Sequence, residues 1–243
     1  MGIPANVTVH QIRLNPSAVA GALGAVAFLL VLASTAGQLA KYLFGHNHVY
    51  GLVPLFNVSR EETIPTFFSA LLLFCAALLL TVITVLKNKH KDPDVLKWAT
   101  LAFGFLFMTF DEACVLHERL TGPMRSLLGD GTLGIFYFAW VIPGFAVVFI
   151  LALYFLRFLL RLPARTRFAF MGAATLFLGG ALAVELVGSR YAELHGGENL
   201  TYNMIATVEE SLEMAGVIVF IYALLKYIAD NYEEVRFRLD TLK

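Results

Sequence analysis

The stretch FMTFDEACVLHERL, residues 107–120, places three carboxylates and an imidazole at the end of an apolar run. Asp111, Glu112, His117 and Glu118 are side chains of the kinds that bind metal ions or carry protons. Further acids stand in apolar surroundings later in the chain, namely Glu185, Glu209, Glu210 and Glu213. These eight residues are the candidate site, and their chemistry depends on whether they lie inside a membrane.

The composition is that of a membrane protein. The 243 residues are 58% hydrophobic with a mean hydropathy of +0.73, and 15% are charged, whereas a soluble domain has about 25% charged residues. A helix crosses the hydrocarbon core with about 20 apolar residues. Six runs approach that length, at 17–44, 64–86, 97–118, 135–160, 168–188 and 206–229. The sequence therefore predicts an all-α polytopic membrane protein, a six-transmembrane-helix bundle in the single domain 1–243.

The charges predict an orientation and exclude one class of partner. The net charge is zero, with 18 basic and 18 acidic residues and no basic tail, so nucleic acid is not expected as a partner. Alternating the spans puts thirteen Lys and Arg residues on one side and five on the other. By the positive-inside rule both termini are then cytoplasmic. The first run is longer than a signal-peptide core of about 7 to 15 residues, so we expect it to be retained as a span.

The depth of the acids follows from helix length. Twelve uncharged residues separate Lys97 and Trp98 from Asp111, which is about 18 Å of helix and too short to cross the core. The third helix is therefore expected to continue through Asp111 and Glu112 to about Glu118. The third and fifth spans end, and the sixth begins, on the same outer side. We expect seven acids from three helices to share one depth: Asp111, Glu112, Glu118, Glu185, Glu209, Glu210 and Glu213.

Acids at one depth need positive charge, because like charges in a poorly solvated place disfavour one another's ionisation. The same zone offers only Arg119, Arg190 and His117. Carboxylates with one histidine on facing helices are a ligand set for non-haem iron or manganese, or with fewer ligands for zinc. The pattern Glu-x-x-His is missing, so a dinuclear site would be unusually oxygen-rich. The sequence predicts a divalent transition metal, mononuclear or dinuclear, held by a subset of Asp111, Glu112, His117, Glu118, Glu185, Glu209, Glu210 and Glu213.

Simpler explanations exist for several of these residues. Ser59 and Glu62 have capping-box spacing, which makes Glu61 and Glu62 helix-start residues, and Thr207 with Glu210 would do the same for Glu209 and Glu210. Glu118 would otherwise pair with Arg119 at the interface, Glu185 with Arg190, and His117 would be a hydrogen-bonded interfacial residue. We interpret His46, His48 and His195 as solvated loop residues, and Trp98, Tyr137 and Trp140 as packing residues or interface anchors.

Two motifs carry a family resemblance. REETIPTFFSALLL at 60–73 and FDEACVLHE at 110–118 together resemble an uncharacterised family of bacterial multipass membrane proteins. In that family an acidic, Pro-Thr-aromatic-Ser start of one span is followed by Asp-Glu and His-Glu pairs on the next. The resemblance implies an origin in the bacterial inner membrane and no particular chemistry. It also draws attention to Glu61, Pro65, Thr66 and Ser69.

Three functions of different classes fit these observations. The leading hypothesis is a metal-binding membrane protein that acts as an enzyme, an oxidoreductase or hydrolase, on a lipid or apolar substrate near the outer leaflet. The second is a proton- or cation-coupled transporter in which the same acids titrate. The third is a structural subunit of a membrane complex, as a homo-oligomer or with other chains, in which a partner supplies basic residues.

Overall fold

The computed structural model describes residues 14–129 and 131–232, and over these residues the regular structure is entirely helical. Nine α-helices follow one another in this described part of the chain: α1 Pro16–Phe44, α2 Leu52–Leu55, α3 Ile64–Lys89, α4 Val95–Cys114, α5 Thr121–Leu128, α6 Val141–Arg161, α7 Ala164–Leu178, α8 Glu185–His195 and α9 Leu200–Asn231. A π-helical turn, Gly179–Val184, joins α7 to α8.

The long helices confirm the predicted class. Five of the described helices are long and apolar enough to cross a membrane: α1, α3, α6, the continuous helix Ala164–His195 and α9. A sixth span results if α4 is counted together with Glu118–Leu128, although the two are bent by 72°. The chain is thus an integral multipass membrane protein. The predicted cytoplasmic termini stay a prediction, and Arg13, Arg236, Arg238 and Lys243, which contributed to it, lie outside the described residues.

Helix α9 is the centre of the bundle, in contact with α1, α3, α7, α8 and the π turn. Its side chains join a core that includes Leu72, Leu80, Trp98 and Phe158, each at most 1% exposed. Trp98 is therefore a packing residue, one of the alternatives that the sequence offered. The outward face of α6 exposes large apolar side chains such as Phe149 and Leu153. In a membrane this face contacts lipid, so its exposure carries no hydrophobic penalty.

Glycines bring α9 unusually close to α7 and the π turn. A Cβ on Gly216 would lie 2.6 Å from the Phe177 nitrogen and 2.9 Å from the Ala173 oxygen. A Cβ on Gly180 would lie 2.7 Å from the Glu209 oxygen. Small residues permit this approach, and in lipid such close packing is a main source of helix association.

Two of the span boundaries that differ from prediction have a clear local reason. The third span does not continue to Glu118, because α4 ends at Cys114 and Val115 adopts a left-handed conformation with φ of 54°. Asp111 and Glu118 therefore do not share a helix face. The fourth span begins at Val141 rather than 135, since Gly134–Phe136 forms a separate 3-10 turn.

Both capping-box interpretations are wrong. Helix α3 is capped by Thr63, whose hydroxyl accepts the Thr66 N–H at 3.4 Å. Helix α9 begins at Leu200, capped by Asn199, six residues before the predicted start of the sixth span at 206. The Thr207 hydroxyl instead donates to the Asn203 carbonyl at 2.7 Å inside the helix. Glu209 and Glu210 are therefore mid-helix acids, and the helix dipole at an N-terminus does not account for them.

The close packing can be tested with one pair of substitutions. We expect Gly216→Ala to destabilise the protein by about 1 to 3 kcal/mol, because the new methyl meets backbone atoms that cannot move aside. Gly172→Ala, on an open helix face with nothing within 4 Å, should be neutral or stabilising by up to about 1 kcal/mol. Thermal unfolding in detergent measures both, and equal effects would contradict the assigned packing.

Candidate functional site

The candidate residues gather at one end of the bundle, where α1 and α4 finish and α3 and α9 begin; we call it the acidic end. Helix α4 supplies Asp111 and Glu112 in its last turn, and α8 supplies Glu185 directly after the π turn. Helix α9 supplies three acids within two turns, Glu209, Glu210 and Glu213. Extra turns of π-helix inside α-helices frequently occur at functional sites, since they change the register of the side chains that follow.

Asp111 holds His117 at the bend that follows α4. Its carboxylate accepts the His117 backbone N–H at 2.8 Å and contacts Nδ1 of the ring at 2.9 Å. The ring also packs on Trp140, with centroids 4.5 Å apart. When Nδ1–H donates to a carboxylate, Nε2 keeps its lone pair and a fixed direction, which is the usual arrangement of metal-binding histidines.

Glu185 is buried, 9% exposed, and its partners differ from those expected. The Trp140 indole Nε1–H donates to Glu185 Oε1 at 3.0 Å. The expected pairing with Arg190 is wrong, because Arg190 binds Glu193 at 2.7 Å. Trp140 is therefore more than an anchor. Nothing in the sequence pattern links it to an acid 45 residues away.

Electrostatics relates the acids of α9 to those of α4 and α8. The charges of Glu112, Glu61 and Glu185 act on Glu210. The charges of Glu210, Glu112 and Glu209 act on Glu213. That carboxyl groups from α4, α8 and α9 form one cluster stays a prediction.

Glu61 is a residue that the sequence interpretation assigned to a helix start. Partial loss of hydration raises the pKa of Glu61, and the charges of Glu118 and Asp111 raise this pKa further while His117 opposes them. Its charge also acts on Glu112 and Glu210. Glu61 therefore belongs electrostatically with the acids of the site. The family resemblance was the one signal in the sequence that pointed to it.

The segment that carries Glu61 is fixed by hydrogen bonds to three parts of the bundle. The hydroxyls of Thr63 and Thr66 donate to the Arg60 carbonyl at 3.2 and 3.0 Å. The Ser59 hydroxyl donates to the Asn203 carbonyl of α9 at 3.4 Å. The Val58 N–H donates to Ser34 Oγ of α1 at 3.1 Å. These hydrogen bonds thus fix the backbone of Glu61 at the acidic end. The position of the residue therefore does not depend on its side-chain rotamer.

Other candidates lie elsewhere or stay at the surface. His195 stacks on Tyr191, with ring centroids 4.6 Å apart, and it is exposed, as expected for a loop residue. Glu118 and Arg119 are both exposed, and no salt bridge joins them in the described part of the chain. The charge of Glu118 nevertheless acts on Glu61 and Glu210.

The chemistry of the candidate ligands favours a metal site, whereas their positions in the structure do not form one. Carboxylates with one oriented imidazole are suitable ligands for iron, manganese or zinc. Among residues 14–129 and 131–232, however, no group of three or more His, Cys, Asp or Glu side chains is placed to hold a metal ion. Coordination would require these side chains to turn toward a common point, and the metal stays a prediction.

The bond between Trp140 and Glu185 can be tested by a double-mutant cycle. Trp140→Phe removes the donor from a buried carboxyl, and we expect a loss of stability of about 1 to 3 kcal/mol. Glu185→Gln alone and the double variant complete the cycle. A coupling above about 0.5 kcal/mol is expected for groups in contact. Additive effects in thermal unfolding would show that the two side chains do not interact.

Comparisons with known proteins place the chain in a family. No curated protein and no solved structure matches it. The model of the family DUF8692, described as a domain of unknown function, matches residues 17–228. This range contains every candidate site residue and nearly all of the described helices. The chain therefore belongs to the DUF8692 family.

Proposed function

We propose that this protein binds a divalent metal ion at the acidic end of the bundle and uses it as an enzyme acting on a lipid or apolar substrate near the membrane surface. The single observation that carries the proposal is the Asp111–His117 pair, in which Asp111 contacts Nδ1 of the ring and leaves Nε2 to bind a metal. A carboxylate that accepts the ring N–H of a metal-binding histidine holds that ring in one orientation.

The charge balance supports a bound cation. In the described residues no salt bridge joins a Lys or Arg to any of the five span acids Glu112, Glu185, Glu209, Glu210 and Glu213. Arg190 is already bound by Glu193, and Arg119 is exposed. Uncompensated carboxylates away from water are strongly unfavourable. Positive charge must therefore come from a bound cation or from protons.

The chain's own residues would prepare such a site. Asp111 orients His117, Trp140 orients Glu185, and the tight contact of Gly180 with α9 sets the distance between α8 and the acids of α9. A bound metal would polarise a substrate oxygen or lower the pKa of a bound water. The surrounding apolar helices limit the access of bulk water and open the site to molecules dissolved in the membrane.

Metal content is the direct test. Protein purified without chelator should contain near-stoichiometric transition metal by elemental analysis. Glu213→Gln and Asp111→Asn should each lower the content about tenfold or more, since one removes a ligand and the other its orientation. Glu198→Gln, an exposed acid at the same end of the bundle, is the matched control and should leave it unchanged. Metal-free wild-type protein would overturn the proposal.

A second function is favoured by the place of Glu185, which is buried directly after the π turn on a helix in contact with α9. Acids within spans suit a proton-coupled transporter, in which they exchange protons with the solution. The π turn next to Glu185 offers a place where the helix register can change.

Flux measurements separate this function from the first. If the acids couple transport, proteoliposomes with an imposed pH gradient should show proton movement that Glu209→Gln abolishes and Glu198→Gln does not. Absence of flux in wild-type vesicles would exclude this second function and leave the metal proposal as it stands.

A further inference from the structure

A pocket adjoins the acidic end between the segment after α1 and the start of α3. Its volume is 650 Å³, within the usual range of about 300 to 1,000 Å³ for small-molecule sites. Its lining includes Pro54 and Leu55, which are apolar, and His48, Arg60, Glu61 and Glu62. Side chains of both charge signs and apolar side chains therefore line the same pocket.

The charged groups of the pocket have free binding capacity. His48, Arg60, Glu61 and Glu62 are all exposed, and across residues 14–129 and 131–232 none of them takes part in a salt bridge. A guanidinium binds phosphate or carboxylate through paired hydrogen bonds, and a carboxylate binds an ammonium group. These charged lining residues are thus complementary to a molecule that carries one positive and one negative group.

The pocket lies where an amphiphile would be. The spanning helix α1 ends at Phe44, which is 71% exposed. The following segment exposes Tyr50 at 104%, Leu52 at 51% and Leu55 at 42%. Exposed aromatic and aliphatic side chains at the end of a span are typical of segments that lie in the membrane interface. The pocket therefore combines charged lining residues with a neighbouring apolar surface. At the end of a span, this combination suits the head group and the acyl chains of a lipid.

Buried residues of the segment that forms the pocket hold it in shape. Val53 is 7% and Val58 is 3% exposed, and Gly37 of α1 lies against Val53. Hydrogen bonds from Val58 and Ser59 to α1 and α9 fix the segment that carries Arg60 and Glu61. A pocket built this way is largely formed before a ligand binds, which reduces the entropy lost on binding.

We propose that this pocket binds the head group of a zwitterionic phospholipid, with the phosphate at Arg60 and His48, the ammonium group at Glu62 and the acyl chains along Leu52 and Leu55. Glu61 faces the pocket and interacts with Glu118, Asp111, Glu112 and Glu210. The inference thereby deepens the proposed function, on which this last step rests, by naming the class of lipid brought to the acids.

Lipid binding by the purified full-length protein tests the proposal. Native mass spectrometry in detergent would compare phosphatidylethanolamine, phosphatidylglycerol and diacylglycerol. We expect phosphatidylethanolamine to bind about tenfold more tightly than either of the others. Arg60→Gln should weaken its binding about tenfold, and Glu62→Gln should remove the preference over phosphatidylglycerol. Arg165→Gln, an exposed arginine at the opposite end of the bundle, is the control and should change neither.

Equal binding of the three lipids, or an unchanged Arg60→Gln variant, would overturn the proposal. Free O-phosphoethanolamine is a further arm, because displacement of the lipid at equal concentrations would show that the acyl chains contribute nothing and that a lipid is not the ligand. Metal content measured on the same samples keeps the two proposals apart. Lipid preference without metal would refute the metal site alone, and metal without lipid preference would refute the pocket alone.

Discussion

The structure depends on one packing constraint, which is the close approach of α9 to α7 and the π turn. Helix α9 carries three of the candidate acids and is also the helix on which the rest of the bundle packs. It cannot move away from these neighbours without loss of that packing, since Gly180 and Gly216 leave no room for a side chain. Packing thus fixes the place of α8, with Glu185, relative to the acids of α9, and under the proposed function a counter-ion or protons would compensate their charge.

Asp111 shows how one residue serves both fold and site. Its carbonyl accepts the N–H groups of Val115 and Leu116, which closes the last turn of α4. Its carboxylate accepts the backbone N–H of His117 and contacts Nδ1 of the His117 ring. The bend that shortens the third span is therefore the feature that turns the imidazole toward Trp140 and the acids. A helix continued to Glu118 would have placed His117 about 120° away from Asp111 around the helix, counted at about 100° per residue.

The sequence could predict the features that depend on average properties along a segment. Apolar runs located the spans, although several ends are six or seven residues from the predicted ones, because the energy of burying a helix in lipid is a sum over many side chains. The acids were recognisable because charge inside such a run is rare. The bend after Cys114, the Trp140 bond and the place of Glu61 depend instead on single contacts between distant segments, and no local pattern encodes them. The start of α9 could have been predicted, since Asn199 is a favoured capping residue. The prediction instead followed the apolar run that defined the sixth span, and that run begins later in the sequence.

The position of Glu61 connects these features into one argument. It lies on the segment that hydrogen bonds tie to α1 and α9, it lines the pocket, and its charge acts on acids of α4 and α9. A positive group that enters the pocket therefore lowers the repulsion among the acids, and a cation bound among the acids lowers the negative potential in the pocket. By linkage these two effects are equal in free energy. Under the two proposals, the binding of a lipid at the surface and the binding of a cation inside would be coupled through Glu61, and the sign of the coupling would depend on which charge of the lipid lies nearer to that carboxylate.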